Sequence, residues 1–332
     1  GRPDKSELIA RIDSADESLL MPPPESRKKL TATEKQLLKQ WITDGAEYKG
    51  HWSFIAPKRP SLPAVNNASW GHNAVDRFLL ARLEEKKMSP SAEAGRETLI
   101  RRASFDLRGL PPSIREIDEF LTDSSPKAYE KMVDRMLASA QFGEKMGRIW
   151  MDLARYGDTN GYHYDSTRQV WMWRDWVIQS FNENKPFDEF TVEQLAGDLL
   201  PNATVSNKIA SGFNRNTRYN EEGGADPAEW RVEYAKDRTR TLGQVWLGLT
   251  LGCADCHNHK YDPITQTDFY QLYAFFNSLD EPGAQGHRQK YPPLIEVPTA
   301  EQERTIQTAN QTIATLEKQI RDELAKIKYE EP

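Results

Sequence analysis

Leu99-Ile100-Arg101-Arg102-Ala103-Ser104-Phe105-Asp106-Leu107-Arg108-Gly109-Leu110-Pro111-Pro112-Ser113-Ile114-Arg115-Glu116 sets the fold class. Leu99, Ile100, Ala103 and Leu107 recur at spacings of three and four, so one face of a helix is apolar. Gly109 and the two prolines stop that helix, because proline has no amide hydrogen and a fixed φ. Ser113 and Glu116 then form a capping box that opens the next helix.

The same pattern extends in both directions. Ser6 to Ile12 predicts a short helix, followed by the extended stretch Leu19-Leu20-Met21-Pro22-Pro23-Pro24. Thr31 and Glu34 form another capping box, opening a helix with Leu37, Leu38, Trp41 and Ile42 on one face and an end near Gly45. Val75, Phe78, Leu79, Arg82 and Leu83 make a further stripe, and helices are expected over 127–138, 143–155, 171–182, 189–199 and 228–248. Strand signals are sparse, so the fold is mainly α. The chain divides into a helical piece over 1–50, a Pro-rich linker over 51–70, a larger helical domain over 71–285 and an arm over 299–328. In the arm, Ile306, Ile313, Ile320 and Ile327 recur every seven residues, with Ala309 and Leu316 three further on and Glu323 breaking the second series. This is the spacing of a coiled coil, which implies a coiled-coil partner or a hairpin arm.

Composition narrows the function classes. The net charge is -6 over 332 residues, and no basic stripe appears, so nucleic acid is not an expected partner. No apolar run reaches membrane-spanning length. Nine Trp, 12 Tyr and 12 Phe are a generous aromatic share, which core packing explains and which also suits haem or carbohydrate contact.

The two cysteines sit together in Cys253-Ala254-Asp255-Cys256-His257. C-x-x-C-H is the spacing of covalent haem c attachment: two thiols add to the two vinyl groups of one porphyrin, and the next imidazole reaches the iron. Cys253, Cys256 and His257 are therefore the expected haem-binding residues. Zinc is the serious rival, with His257 or His259 completing a Cys/His set. A small-loop disulfide is a further alternative, and a thioredoxin-like pair lacks its βαβ surroundings. His259 lies too close to His257 to approach the same iron from the opposite side, so a propionate contact or acid–base role is expected of it. His163, His51, Met151 and Met172 are candidates for the distal position, which is alternatively open, as catalysis on a bound substrate would require.

Two further constellations carry possible chemistry. Asp158, Asn160 and Asp165 alternate around Gly161 like the first half of a calcium loop, without the closing bidentate Glu. A polar turn or substrate-contact loop is the plainer reading, and Asp158, Tyr162, His163 and Asp165 are alternatively proton donors near the haem. Glu221-Glu222-Gly223-Gly224 is an acidic turn whose adjacent carboxylates are expected to raise one another's pKa and act as acid and base, against the plainer reading of a solvated loop.

Several stretches resemble one family. They include His51-Trp52-Ser53-Phe54, Asp106-Leu107-Arg108-Gly109-Leu110-Pro111-Pro112, Trp150-Met151-Asp152-Leu153-Ala154-Arg155-Tyr156 and Asp158-Thr159-Asn160-Gly161-Tyr162. They continue through Gln194-Leu195-Ala196-Gly197-Asp198 and Asn220-Glu221-Glu222-Gly223-Gly224 to Cys256-His257-Asn258-His259-Lys260-Tyr261-Asp262-Pro263. Residues 51–280 resemble the DUF1549 domain of planctomycete cytochrome-like proteins with a PSCyt1–DUF1549–DUF1553 architecture. Residues 1–50 are similar to the rear half of that family's N-terminal cytochrome c domain, where Met21 would match the methionine axial ligand. The resemblance implies an exported, periplasmic haem protein with its leader outside these residues. It also implies a redox partner or adjoining cytochrome domain and a carbohydrate-linked role. The functional expectation is an oxidoreductase or electron-transfer module, with Asp158, Tyr162, Glu221, Glu222 and His259 as candidate catalytic groups. The rival class is a non-catalytic assembly protein with a structural haem or zinc.

Overall fold

The computed structural model describes residues 1–47, 50–284 and 291–327. Among these the chain is mainly helical, with thirteen α-helices and no β-strand. It divides into two compact units, Gly1–Ala92 and Glu93–Pro332. Lys328, at the end of the expected arm, Gln285, at the end of the expected domain, and the Tyr329–Pro332 tail lie outside the described residues.

The first unit holds α1 (Glu7–Ile12), α2 (Ala32–Thr43) and α3 (Ala74–Glu85). The Thr31 and Glu34 capping box opens α2, with Thr31 Oγ1 accepting from Glu34 N at 3.2 Å. Ile12 of α1 and Ile42 of α2 are buried, and Lys35 and Lys39 of α2 meet Asp13 at 3.3 and 2.8 Å. Helix α3 departs from expectation. Its buried residue is Leu80, whereas Val75, Phe78 and Leu79 of the expected stripe are exposed. A second capping box, Asn73 with Asp76, fixes where it begins.

In the second unit α4 (Arg96–Arg108), α5 (Ile114–Thr122) and α6 (Ala128–Leu137) enclose one core of Ile100, Ala103, Phe120, Ala128, Met132 and Met136. Gly109 ends α4 in the left-handed conformation at φ +71, and Ser113 and Glu116 cap α5, as the sequence predicts. The central core follows in α7 (Ala140–Ala154), α8 (Trp171–Asn182) and α9 (Phe187–Ala196), where Trp150, Trp173, Trp176, Val177 and Phe190 pack together. Helices α7 and α8 approach closely because Gly143 has no side chain: a Cβ there would lie 2.3 Å from the Ile178 carbonyl oxygen. The short α10 (Val205–Ala210) follows.

Helix α11 (Pro227–Leu242) organises the rest of the unit. Tyr234 joins a buried tyrosine cluster with Tyr219 and Tyr291. Arg238 forms a buried ion pair with Glu281, which Arg215 also reaches at 3.1 Å. The helix runs into a π turn, Gly243–Leu247, and reverses at Gly248 (φ +63). Gly243 packs closely here, since a Cβ would strike Leu251 at 2.4 Å, while a Cβ at Gly252 would meet only Arg240 Nε at 3.9 Å. The reversal delivers Leu251 and the cysteine turn against α12 (Gln266–Asn277). Finally α13 (Ala300–Leu324) has no buried residue. Its heptad residues Ile306, Ile313, Leu316 and Ile320 are all about half exposed.

Candidate functional site

The turn Gly252–Asp255 is a single 3₁₀ element, and it sorts its side chains by position. The residues between the cysteines face inward. Ala254 is fully buried in a small core with Leu251 and Phe269. Asp255 is buried and held on three sides: Arg240 at 2.5 Å, Lys236 at 3.3 Å and the Tyr270 hydroxyl at 3.0 Å. Burial alone would raise the Asp255 pKa, but hydrogen bonds from Tyr270, Arg240 and Lys236 outweigh it and hold the carboxyl below the usual range.

The motif residues face outward. Cys253 and Cys256 are free thiols and exposed. The His257 ring is also exposed, with Nδ1 2.7 Å from the Asn258 carbonyl oxygen. A carbonyl only accepts, so Nδ1 carries the proton and Nε2 keeps its lone pair. His259 is arranged oppositely. Its Nδ1 accepts from the backbone amides of Asp262 (2.9 Å) and Tyr261 (3.3 Å), which places the proton of the neutral ring on Nε2. His259 thus pins the following loop, and its side chain is only 9% exposed. The donor set of haem c fits this turn: two accessible thiols and one imidazole whose far nitrogen is fixed by a carbonyl and whose near nitrogen is open. Among the described residues, no three His, Cys, Asp or Glu side chains converge as a preformed metal cage.

The second constellation forms around a tight loop. Thr159 and Thr167 make an antiparallel bridge, Asn160 N donates to Ser166 O (2.9 Å), and Arg168 N donates to Asp158 O (2.8 Å). The oxygens expected to face calcium serve the loop itself. Asp158 accepts from the Tyr156 hydroxyl at 2.7 Å, and Asp165 accepts from Gly161 N at 2.7 Å. The Asn160 amide exchanges two hydrogen bonds with the backbone of Tyr219, 59 residues away, at 2.6 and 2.9 Å.

Glu221 and Glu222 part company. Glu221 is buried, accepting a hydrogen bond from the Tyr291 hydroxyl and a 3.5 Å contact from Ser166 N. Burial pushes its pKa up, yet these bonds outweigh burial, and Glu221 lies below the usual range. The expected raising is thereby corrected at Glu221, because hydrogen bonds stabilise its charged form more than burial penalises it. Glu222 is exposed, 4.0 Å from His163 Nε2. Tyr162 lies between Trp230 (5.6 Å between ring centroids) and the Arg218 guanidinium (5.1 Å).

Helix α11 links the two places. Tyr234 belongs to the tyrosine cluster beside Glu221, and Arg240 belongs to the cysteine turn, about 9 Å further along the axis at ~1.5 Å per residue. Sequence reasoning missed Asp255, Arg240 and Tyr291. An acidic residue inside C-x-x-C was the one visible signal, since its neighbours in space come from 15 residues away on either side.

No curated protein and no solved structure matches this chain. Residues 74–281, well over half its length, match the family model described as PSCyt2, protein of unknown function (DUF1549). The match ends at Glu281, so it contains the cysteine turn, the Asp158 loop and the whole of α11. The chain belongs to the PSCyt2 (DUF1549) family.

Proposed function

We infer that the protein is an exported c-type haem protein, acting as an oxidoreductase or as the electron-transfer module of one. The observation that carries this reading is the sorting of the Cys253–His257 turn: the spacer residues anchor it and all three motif side chains are presented to solvent. Haem held there supplies one-electron chemistry at its iron. Cys253 and Cys256 attach the porphyrin through Sγ, and His257 offers Nε2 to the metal. The Asn258 carbonyl fixes the orientation of the ring. An attachment site this exposed suits exchange of electrons with a docked redox partner.

The wider reading follows the planctomycete architecture. In it, residues 1–50 would belong to a cytochrome c domain in which Met21 would help to hold the haem iron, and that domain would be the redox partner. Met21 is 44% exposed. Covalent haem attachment implies a periplasmic or otherwise exported location, and no helix among the described residues is long and apolar enough to cross a membrane. A carbohydrate substrate, with Asp158, Tyr162, Glu222 and His259 as polar contacts, rests on the family context and aromatic content.

The test is spectral and by mass. Full-length protein produced with a haem c assembly system should keep a Soret band after acid-acetone extraction. The proteolytic segment spanning Cys253–His257 should be heavier by one haem. An unmodified segment overturns the reading. A shift on adding carbon monoxide or cyanide indicates an open iron position and favours catalysis over electron transfer.

One observation favours a second reading, that of an assembly protein with a structural metal: α13 presents a continuous exposed apolar stripe. Zinc by elemental analysis, with no Soret band, would support it.

A further inference from the structure

Beside the Asp158 loop lies a polar cleft of about 400 Å³, lined by Arg155, Arg168, Arg218, Asn216, Asp237 and the backbone of Thr159–Gly161. Its charges do not balance. Arg155 and Asp237 neutralise each other through two hydrogen bonds of 2.7 and 2.8 Å, and Thr217 adds a third to the same carboxylate at 2.6 Å. Among the described residues no carboxylate pairs with Arg168, and Arg218 feels only the charge of Asp237, which Arg155 already neutralises.

Arg168 is the unusual one. It is 8% exposed, and its one side-chain hydrogen bond runs from Nη2 to the Arg215 carbonyl. Nε has no partner, and the guanidinium otherwise meets the Tyr219 ring face at 5.3 Å. Burial depresses its pKa, and no nearby carboxylate restores it. Asn216 is 5% exposed, and neither its amide nitrogen nor its amide oxygen has a partner. Buried unpaired polar groups are costly and rare, and a buried unpaired cation more so. Two such residues at one cleft wall leave desolvated hydrogen-bonding capacity, both donor and acceptor, beside the cleft. The cleft is also larger than a bare inorganic ion needs and falls in the range of small-ligand pockets.

The geometry points to a binding site for a small organic ligand bearing an oxyanion group, carboxylate, phosphate or sulfate, with Arg168 and Arg218 taking its charge and Asn216 a neighbouring polar group. The site is independent of the haem reading: it uses none of the cysteine turn.

Thermal unfolding and calorimetric titration of the full chain test it. The probes are glucuronate, glucose 6-phosphate, glucose 6-sulfate, sodium phosphate and sodium sulfate, with glucose and sodium chloride at matched ionic strength as controls. At least one organic oxyanion should bind saturably and raise the midpoint above the chloride control, while glucose does neither. Arg218→Ala, at an exposed position, should weaken that binding tenfold or more. Arg168→Met should abolish it while the unliganded midpoint stays equal to or above that of the parent, because a buried uncompensated charge has been removed. No saturable response in the parent overturns the proposal. So does undiminished binding in Arg218→Ala. A response to inorganic phosphate or sulfate with none to the three organic probes overturns the assignment of an organic ligand.

Discussion

Asp255 and Arg240 lie 2.5 Å apart, and this ion pair ties the turn between the two cysteines to α11. The turn therefore presents its thiols because the residue between them is fastened inward. Asp255→Asn keeps the shape and removes the charge that Arg240, Lys236 and Tyr270 share. Its expected cost is about 1–3 kcal/mol in urea unfolding. Covalent haem loading, measured as Soret absorbance per chain, should fall although both thiols remain. Full loading in this variant would show that the anchor does not govern attachment.

The two histidines after the turn should separate cleanly. His257→Gly removes the open Nε2, so the haem spectrum of the loaded protein should change while the thioether bonds persist, and added imidazole should reverse the change. His259→Ala leaves two backbone amides unpaired and should cost about 1–3 kcal/mol with an unchanged spectrum. A spectral change in His259→Ala would reverse these roles.

Glu221 carries a pH dependence with a definite sign. Its folded pKa lies below the ordinary carboxylate value, so its contribution is complete above that value and disappears as pH falls through the folded one. Glu221→Gln should flatten this acid limb of the stability curve. At neutral pH it should cost roughly 1–3 kcal/mol through the lost charge-assisted bond from Tyr291. Chemical denaturation from pH 7 to pH 3 measures both.

The contact of α7 with α8 depends on a missing side chain. At Gly143 a Cβ would meet the Ile178 carbonyl at 2.3 Å, whereas at Gly147 its nearest neighbour would be the flexible Ile178 Cγ1 at 3.2 Å, with Val177 Cγ1 and Ile178 Cα at ordinary contact distance. Gly143→Ala should cost about 1–3 kcal/mol by forcing the helices apart. Gly147→Ala should be milder, because a helical Ala gains roughly 1 kcal/mol over Gly and the side chain can yield. Equal thermal midpoints for the two variants would contradict this packing.

If α13 assembles, its isoleucines form the seam. Ile313→Lys and Ile320→Lys should lower the sedimentation coefficient of any oligomer toward the monomer value, with little effect on thermal stability because both positions are exposed. A monomeric parent protein would remove the seam from consideration.

Helix positions were legible because their signals are local. Capping boxes at Thr31 and Ser113 and the stop at Gly109 are set within four residues, and the structure starts or ends helices there. Helix α3 shows the limit: its spacing is helical, yet the residue it buries is Leu80, because which face is covered depends on neighbours that periodicity does not name. Asn160 shows the same limit for the site. As a sequence residue it reads as an oxygen donor for a cation. In the fold its amide is used up by the Tyr219 backbone, 59 positions away.

By itself, then, the chain determined a helical protein with a C-x-x-C-H turn, since backbone propensity, capping and motif spacing act over a few consecutive residues. Only the tertiary structure decided which way each residue of that turn faces, that Glu221 is buried while Glu222 is not, and that Arg168 is left without a counter-charge. Those outcomes depend on burial and on partners brought from distant positions, where the cost of an unpaired charge is settled by three-dimensional neighbours.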